Sequence, residues 1–181
     1  QLRRGPPPPP VRLKPQAPAR RADGEGFRLI AGVDEAGRGP WAGPVVAAAV
    51  ILRRRRLNVR VDDSKRLSPA QRRRAYGEIL RHGWVGVGIV SAEQVDLMNI
   101  RQATLQAMRQ AVQELPCHPQ LVLVDGNDPP LLAVPCWPVI EGDQHSYPIA
   151  CASIVAKVVR DAMMEFYHRL FPEYRFDRHK G

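Results

Sequence analysis

The stretch Gly32-Val33-Asp34-Glu35-Ala36-Gly37-Arg38-Gly39-Pro40 decides the fold, because an apolar run ends there in two carboxylates and a glycine-arginine-glycine turn. The run 27–33 has the length and composition of a buried strand, and loops at strand ends are common places for functional sites. Consecutive side chains of a strand point to opposite faces. Asp34 and Glu35 therefore serve one site only if the strand ends there or a ligand, such as a metal ion, lies between them.

The turn after the two acids is suited to a close ligand. Gly37 and Gly39 carry no Cβ atom, so backbone N–H and C=O groups can approach a sugar or phosphate, and Arg38 adds a permanent cation. The alternative is a surface turn with solvated charges. The two flanking glycines make that alternative the weaker interpretation.

A second strand repeats this design further along the chain. The apolar run 120–124 ends in Asp125 and Gly126. A strand separated from its predecessor by a helix is usually parallel to a strand already in the sheet. We therefore expect Asp34 and Asp125 at the same end of neighbouring parallel strands, about 5 Å apart.

The remaining elements alternate between strand and helix patterns. Ser68 and Pro69 are typical of a helix start, Gly83 of a helix end, and Ser91 of the cap of a short helix. The pattern predicts strands at 27–33, 44–52, 84–90, 120–125 and 136–140, and helices at 69–81, after 91, at 100–115 and at 149–170. This order predicts an α/β fold.

Composition divides the chain into a leader and one domain. Residues 1–24 are rich in proline and arginine, so we expect a disordered leader followed by a domain at 25–181. A transit peptide is a less favoured interpretation of the leader, because the proline run opposes an amphipathic helix. Six of the nine net positive charges lie in residues 1–22. The basic balance is therefore only weak support for a polyanionic partner.

Cysteine usage and hydropathy bear on the compartment. The three cysteines are odd in number and 19 and 15 residues apart, which suggests neither a disulfide framework nor a zinc site. No apolar run is long enough for a membrane span, and no secretory signal is recognisable. We expect a cytoplasmic protein with reduced thiols and no membrane partner.

The segment from Asp34 to Pro44 closely resembles the signature opening of the ribonuclease HII family, and the resemblance extends from about Ala31 to Gly181. Three further motifs carry it: Val124-Asp125-Gly126, Gly142-Asp143 before the helix Ala152-Ser153-Ile154-Val155-Ala156-Lys157, and His179-Lys180-Gly181. The resemblance implies a ribonuclease H-like fold, a five-stranded mixed sheet flanked by helices. It also implies catalytic, metal-binding acids at Asp34, Glu35, Asp125 and Asp143.

The chemistry of four clustered acids points to hard cations, because unscreened carboxylates raise one another's pKa and destabilise a fold. We expect Mg²⁺ or Mn²⁺, with two ions during catalysis. Asp161 is the competing fourth acid, and we interpret it as a structural partner of Arg160 or of a neighbouring strand. The other nearby polar residues are interpreted as turn, cap or local hydrogen-bonding groups: Asp62, Asp63, Asp96, Asp128 and His145.

The resemblance also implies how substrate is bound. The main chain of Gly37, Arg38 and Gly39 is expected to read a ribose 2′-hydroxyl, and Ser64 and Lys65 to bind backbone phosphate. The family motif continues from His-Lys-Gly to a tyrosine that stacks on the sugar. The sequence stops one residue before it, so we expect a domain truncated at its C-terminal end.

The implied activity is metal-dependent endonucleolytic cleavage of the RNA strand of RNA–DNA hybrids, and of duplex DNA at single embedded ribonucleotides. The expected ends are 3′-hydroxyl and 5′-phosphate, and the expected state is a monomer. Ribonuclease HIII is a less favoured family, because it carries a sizeable extra N-terminal domain and usually a glutamate as the fourth acid. A hybrid-binding module with weak catalysis is the alternative from another functional class.

Overall fold

The computed structural model describes residues 26–54 and 56–180, so the predicted leader lies outside the described residues. Five strands form one sheet in the order β3-β2-β1-β4-β5. The strands are β1 (Ile30–Ala36), β2 (Val45–Leu52), β3 (Gly83–Val90), β4 (Leu121–Asp125) and β5 (Cys136–Val139). The first three pair antiparallel, whereas β4 pairs parallel to both β1 and β5. The predicted five-stranded mixed sheet is confirmed.

Six α-helices are found among residues 26–54 and 56–180. They are α1 (Pro69–His82), α2 (Ala92–Met98), α3 (Ile100–Gln113), α4 (Gly142–His145), α5 (Tyr147–Leu170) and α6 (Phe176–His179), with 3₁₀ turns at Ser64–Arg66 and Pro172–Tyr174. Ser68 and Ser91 each form a capping box, which satisfies backbone N–H groups that a helix start leaves unpaired. Both predicted helix starts are confirmed.

Most boundaries shift by one to three residues, including the start of β1 at Ile30 instead of residue 27, and two differences bear on the site. β1 runs through Ala36 instead of ending at residue 33, because its last residues keep antiparallel partners on β2, such as Ala36 with Val46. α4 was not predicted: at four residues it is too short to show a helical period. Its N-cap, Glu141, has left-handed backbone angles that a sequence pattern does not reveal for a non-glycine residue.

Helices cover both faces of the sheet. α3 packs its buried alanines on one face, and α5 packs a run of small and β-branched residues on the other. Contact is closest at glycines: a Cβ on Gly88 would lie 2.0 Å from the Ala107 carbonyl oxygen, and one on Gly32 would lie 2.1 Å from the Pro148 carbonyl carbon. Both helices therefore approach the sheet at backbone distance there.

The cysteines behave as packed thiols. Cys151 is buried, Cys117 and Cys136 are partly buried, and none forms a disulfide. Burial raises the pKa of the Cys136 thiol to about 12, so it carries no thiolate at neutral pH. Among the described residues no helix combines the length and apolar character needed to cross a membrane.

Candidate active site

The parallel pair β1 and β4 brings the first two acids together. Their last paired residues are Val33 and Val124, so Asp34 and Asp125 are the next residue on each strand. Adjacent strands lie about 4.8 Å apart. By alternation both acids share the α5 face, since Gly32 abuts the start of α5 and Leu123 packs with Ile149. The predicted meeting of two distant acids at one sheet end follows from this parallel register.

Glu35 lies on the other side of β1 by alternation, yet it lines the same cavity. The pairing of β1 with β4 ends at Val33, so β4 no longer borders β1 at Glu35. Its side chain is 13% exposed, and Oε1 lies 3.5 Å from Nη1 of Arg38. Glu35 can therefore face the cavity although β1 continues to Ala36, because the pairing with the parallel strand β4 stops before Glu35.

Asp143 is placed by the short helix α4. The N–H of Gly142 donates to Oδ1 of Asp125 at 2.6 Å, which joins the start of α4 to the end of β4. A Cβ on Gly142 would lie 2.6 Å from Cδ1 of Ile149 and 3.1 Å from Oδ1 of Asp125. Glycine at this position therefore allows the close approach that brings the fourth acid to the site.

All four acids line one cavity of about 340 Å³. The other lining residues fall into three groups, from the turn, the 3₁₀ segment and α5: Ala36, Gly37, Arg38, Gly39 and Pro40; Ser64 and Lys65; Ser153, Lys157 and Arg160. Every residue predicted to form the site is thus brought to one cavity.

Three of the four acids have raised pKa values when no cation is present. Burial is the largest cause that raises the pKa of Asp34 well above its usual value, followed by the neighbouring charges of Glu35 and Asp125. Hydrogen bonds with the Glu35 N–H and with Ser153 lower this pKa but do not offset the rise. Burial is also the main cause that raises the pKa of Glu35 and of Asp143, with Asp125 adding to both. Negative charge is therefore costly here without a cation.

Carboxylate oxygens are the ligands that Mg²⁺ and Mn²⁺ prefer, so the donor chemistry of this cavity fits a hard divalent cation. The side chains do not form a ready coordination shell: within 26–54 and 56–180 no three Asp, Glu, His or Cys residues are arranged to hold an ion. Oxygens of Asp125 and Glu35 accept hydrogen bonds from Gly142 and Arg38 instead. Holding an ion requires these side chains to turn toward it.

The predicted substrate residues differ in their surroundings. Gly37 has φ +113°, a conformation that favours glycine, whereas a Cβ on Gly39 would meet nothing within 4 Å. Arg38 and Lys65 are exposed. Ser64 is buried, and its hydroxyl is hydrogen-bonded to that of Ser153 at 2.9 Å. The Ser64 side chain is thus held by the protein and is not presented to solvent.

Sequence reasoning missed three polar residues of the cavity. Ser153, Lys157 and Arg160 lie on α5 at spacings of four and three, which puts them on one helix face. The Ser153 hydroxyl lowers the pKa of Asp34, and Arg160 is only 2% exposed. Three polar residues at helical spacing within the stretch 149–160, which is otherwise small and apolar, were the available signal.

The competing polar residues have structural partners. Asp161 pairs with Lys157 at 2.7 Å, so its predicted pairing with Arg160 or a strand is replaced by an i, i+4 pair on the same helix. Asp63 caps the 3₁₀ turn by accepting from the Lys65 N–H, and Asp128 pairs with Arg101. His145 Nε2 lies 3.8 Å from Oε2 of Glu141, the N-cap residue of α4.

Comparison with known proteins gives matches at both the sequence and the fold level. The family model for Ribonuclease HII matches residues 31–181. Ribonuclease HII of Chlamydia pneumoniae is 50% identical over 159 residues, 87% of this chain and 74% of that protein. The crystal structure of ribonuclease H2 from Pyrococcus horikoshii OT3 superposes with a TM-score of 0.70 at 25% identity, covering 78% of this chain and 76% of that chain.

A third match, at 22% identity, concerns the fold alone. Bst-RNase HIII in complex with Mn²⁺ superposes with a TM-score of 0.68, over 86% of this chain and 59% of that chain.

The sheet order, the acids at the ends of its parallel strands and the shared fold define an endonuclease of the ribonuclease H class. Within that class the profile match covers nearly all of the described residues, and half of the aligned positions are identical to a named relative. The chain belongs to the ribonuclease HII family.

Proposed function

We propose that this chain is a metal-dependent endoribonuclease that cuts the RNA strand of hybrids and also duplex DNA at single embedded ribonucleotides. It leaves 3′-hydroxyl and 5′-phosphate ends. One observation carries the proposal: four carboxylates line a single cavity together with a glycine-flanked turn and several cations. A ribose 2′-hydroxyl at that turn would distinguish RNA from DNA within reach of the acids.

Asp34, Glu35, Asp125 and Asp143 are the proposed catalytic residues and would hold Mg²⁺ or Mn²⁺, two ions during cleavage. Their raised pKa values support this role, since a cation removes the repulsion and desolvation that burial imposes. The Mn²⁺ complex of the structurally similar Bst-RNase HIII agrees with divalent-ion use. A divalent cation would supply Lewis-acid stabilisation of the charge that develops on the phosphate as the bond breaks.

The residues around the acids are proposed to bind and orient the substrate. The main chain of Gly37, Arg38 and Gly39 contacts the sugar, and Lys65 offers a cation to the backbone phosphate. Ser64 contributes indirectly, because its hydroxyl is hydrogen-bonded to that of Ser153, and Ser153 in turn lowers the pKa of Asp34. The substrate is thus bound through backbone and phosphate contacts, which suits recognition that is independent of base sequence.

The test is cleavage of two labelled substrates, an RNA–DNA hybrid and a DNA duplex with one ribonucleotide, with Mg²⁺, with Mn²⁺ and with EDTA. Primer extension from the product reports the 3′-hydroxyl end. We expect metal-dependent cleavage of both substrates and none of an all-DNA duplex.

Two results would contradict the proposal in different ways. Metal-dependent hybrid binding without cleavage would support a binding module. Cleavage of the hybrid alone would restrict the activity to continuous RNA and remove the single-ribonucleotide substrate from the proposal.

A further inference from the structure

Arg160 is a buried cation on α5 whose burial is not explained by a salt bridge in the described part of the chain. Its side chain is 2% exposed on α5, and among residues 26–54 and 56–180 no carboxylate forms a salt bridge with it. Burial lowers the pKa of its guanidinium. Burying a charge without an ionic partner is costly unless hydrogen bonds compensate, so the contacts of this group indicate what it does.

All three guanidinium nitrogens donate to backbone carbonyls. Nε donates to Pro44 at 3.0 Å, Nη2 to Ala42 at 3.0 Å and Nη1 to Lys180 at 2.7 Å. Two of these carbonyls belong to the loop that follows the Gly37–Gly39 turn, and the third lies beyond α6. A single side chain therefore joins α5, this loop and the C-terminal segment.

The glycines of the loop fit around the same guanidinium. A Cβ on Gly37 would lie 2.7 Å from Nε of Arg160, and one on Gly43 would lie 3.3 Å from Nη2 and 2.6 Å from Sδ of Met164. Both glycines have positive φ angles. The path of the loop from 37 to 44 and the place of the guanidinium thus depend on each other, and Arg160 itself lines the cavity.

We infer that Arg160 is a positioning residue for ribose recognition: it fixes the 37–44 loop relative to the acids, so that the Gly37–Gly39 main chain meets the sugar. The inference rests on the proposed function. Recognition by backbone atoms needs accurate placement, because misplacement of a reacting group by about 1 Å can cost on the order of 100-fold in rate. Arginine suits this role, since its rigid planar group directs donors to separate acceptors.

Arg160→Lys is the informative variant, because lysine keeps the charge and much of the volume but carries its donors on one atom. Arg169→Lys is the matched control: the same change on the exposed end of the same helix. Ile79→Val is the stability control, since it removes one buried methyl group from α1, remote from the loop. The melting temperatures of all three variants show how much of any loss of activity is due to a loss of stability.

Three measurements are compared with the wild-type protein. The first is kcat and KM on the single-ribonucleotide duplex. The second is metal-free affinity for that duplex and for an all-DNA duplex of the same sequence. The third is hydrogen exchange of the backbone amides in residues 36–44. For Arg160→Lys we expect a 10- to 100-fold lower kcat/KM, lost preference for the ribose-containing duplex, unchanged all-DNA affinity and faster exchange confined to that loop.

The controls should keep the wild-type ribose preference and loop exchange. The inference is overturned if Arg160→Lys and Arg169→Lys have the same kcat/KM, ribose preference and loop exchange. It is also overturned if the loss of activity in Arg160→Lys is no larger than Ile79→Val shows for the same drop in melting temperature. If the wild-type protein cleaves nothing, the proposed activity fails, while loop exchange and ribose preference in binding still decide the role of Arg160.

Discussion

At the residue scale, Asp125 offers a direct test of the metal-binding role. Asp125→Asn preserves the shape of the side chain, and the amide oxygen can still accept from the Gly142 N–H. The variant loses the negative charge that holds a divalent ion. We expect a folded protein with cleavage reduced at least 1,000-fold (~4 kcal/mol in the barrier). Circular dichroism checks the fold, and near-normal Mg²⁺-dependent cleavage would show that the acid is not a ligand.

Gly37 and Gly39 look equivalent in sequence, but their surroundings predict different outcomes. A methyl group at Gly37 would lie 2.5 Å from the Pro44 carbonyl oxygen at a φ of +113°, so Gly37→Ala should destabilise the protein by about 1–3 kcal/mol. A methyl group at Gly39 faces open space, so Gly39→Ala should leave the melting temperature unchanged. If the sugar approaches there, Gly39→Ala still lowers cleavage of the single-ribonucleotide duplex.

Melting and cleavage measured side by side distinguish these two glycines. Normal cleavage by Gly39→Ala would remove Gly39 from the ribose-contacting surface. A melting temperature of Gly37→Ala equal to that of the wild-type protein would contradict the loop conformation described here.

The raised pKa of Asp34 predicts a pH-dependent stability. An acid whose pKa is higher in the folded than in the unfolded protein binds more protons when folded, so stability falls as pH rises between the two pKa values. Asp34→Asn has no carboxyl group at this position, so the variant does not lose this stability as pH rises. In EDTA we expect it to melt like the wild-type protein near pH 4 and higher at pH 7, by about 2–4 °C for each kcal/mol of strain relieved.

Divalent ions supply the control for this stability effect. Saturating Mg²⁺ should raise the melting temperature of the wild-type protein at pH 7 and change that of Asp34→Asn much less. An Asn variant that melts below the wild-type protein at pH 7 in EDTA would mean that the Asp34 charge is stabilising and its pKa is not raised.

At the scale of elements, the α3 contact with β3 is set by glycine. A Cβ on Gly86 would lie 2.1 Å from the Ala111 carbonyl oxygen, a backbone atom that no rotamer change can move away. Gly86→Ala should therefore destabilise the protein by about 1–3 kcal/mol, through displacement of α3. Gly77→Ala in α1 is the control, because its Cβ would meet nothing within 4 Å and alanine favours helix. Equal melting temperatures for the two variants would contradict this packing.

The elements also show why some features were predictable from sequence and others were not. Capped helices and apolar strands carry local signals, so α1 from Ser68 and the parallel pairing of β1 with β4 were predicted correctly. The extent of β1 depends on its partner β2, and α4 depends on the contact of Gly142 with Asp125. Such long-range pairings leave no local pattern. The cavity residues on α5 do leave one, the spacing of Ser153, Lys157 and Arg160, but that spacing does not show which face of α5 meets the acids.

At the scale of the whole molecule, charge is unevenly distributed along the chain. Residues 1–22 contain six arginine and lysine residues and no acid, while the acids of the site lie between 34 and 143. We predict that deletion of residues 1–24 leaves the melting temperature and kcat nearly unchanged and weakens hybrid binding at low salt. Six lost cations would reduce the slope of log K against log salt by at most about 5.

Affinity measured from 50 to 300 mM salt checks this prediction. An unchanged slope would mean that the leader does not contact nucleic acid. A large loss of melting temperature would show that residues 1–24 contribute to the folded domain.

The contact of Gly32 with Pro148 and Ile149 has a consequence for how the protein can evolve. Here the strand that carries Asp34 touches the beginning of α5 through main-chain atoms, with a would-be Cβ only 2.1 Å from the Pro148 carbonyl carbon. Core side chains elsewhere can be exchanged for others of similar volume, because neighbouring residues repack around them. Main-chain atoms have no such freedom. Drift in the surrounding core can therefore accumulate over many generations while the spacing between the acids and the α5 residues that face them is inherited unchanged.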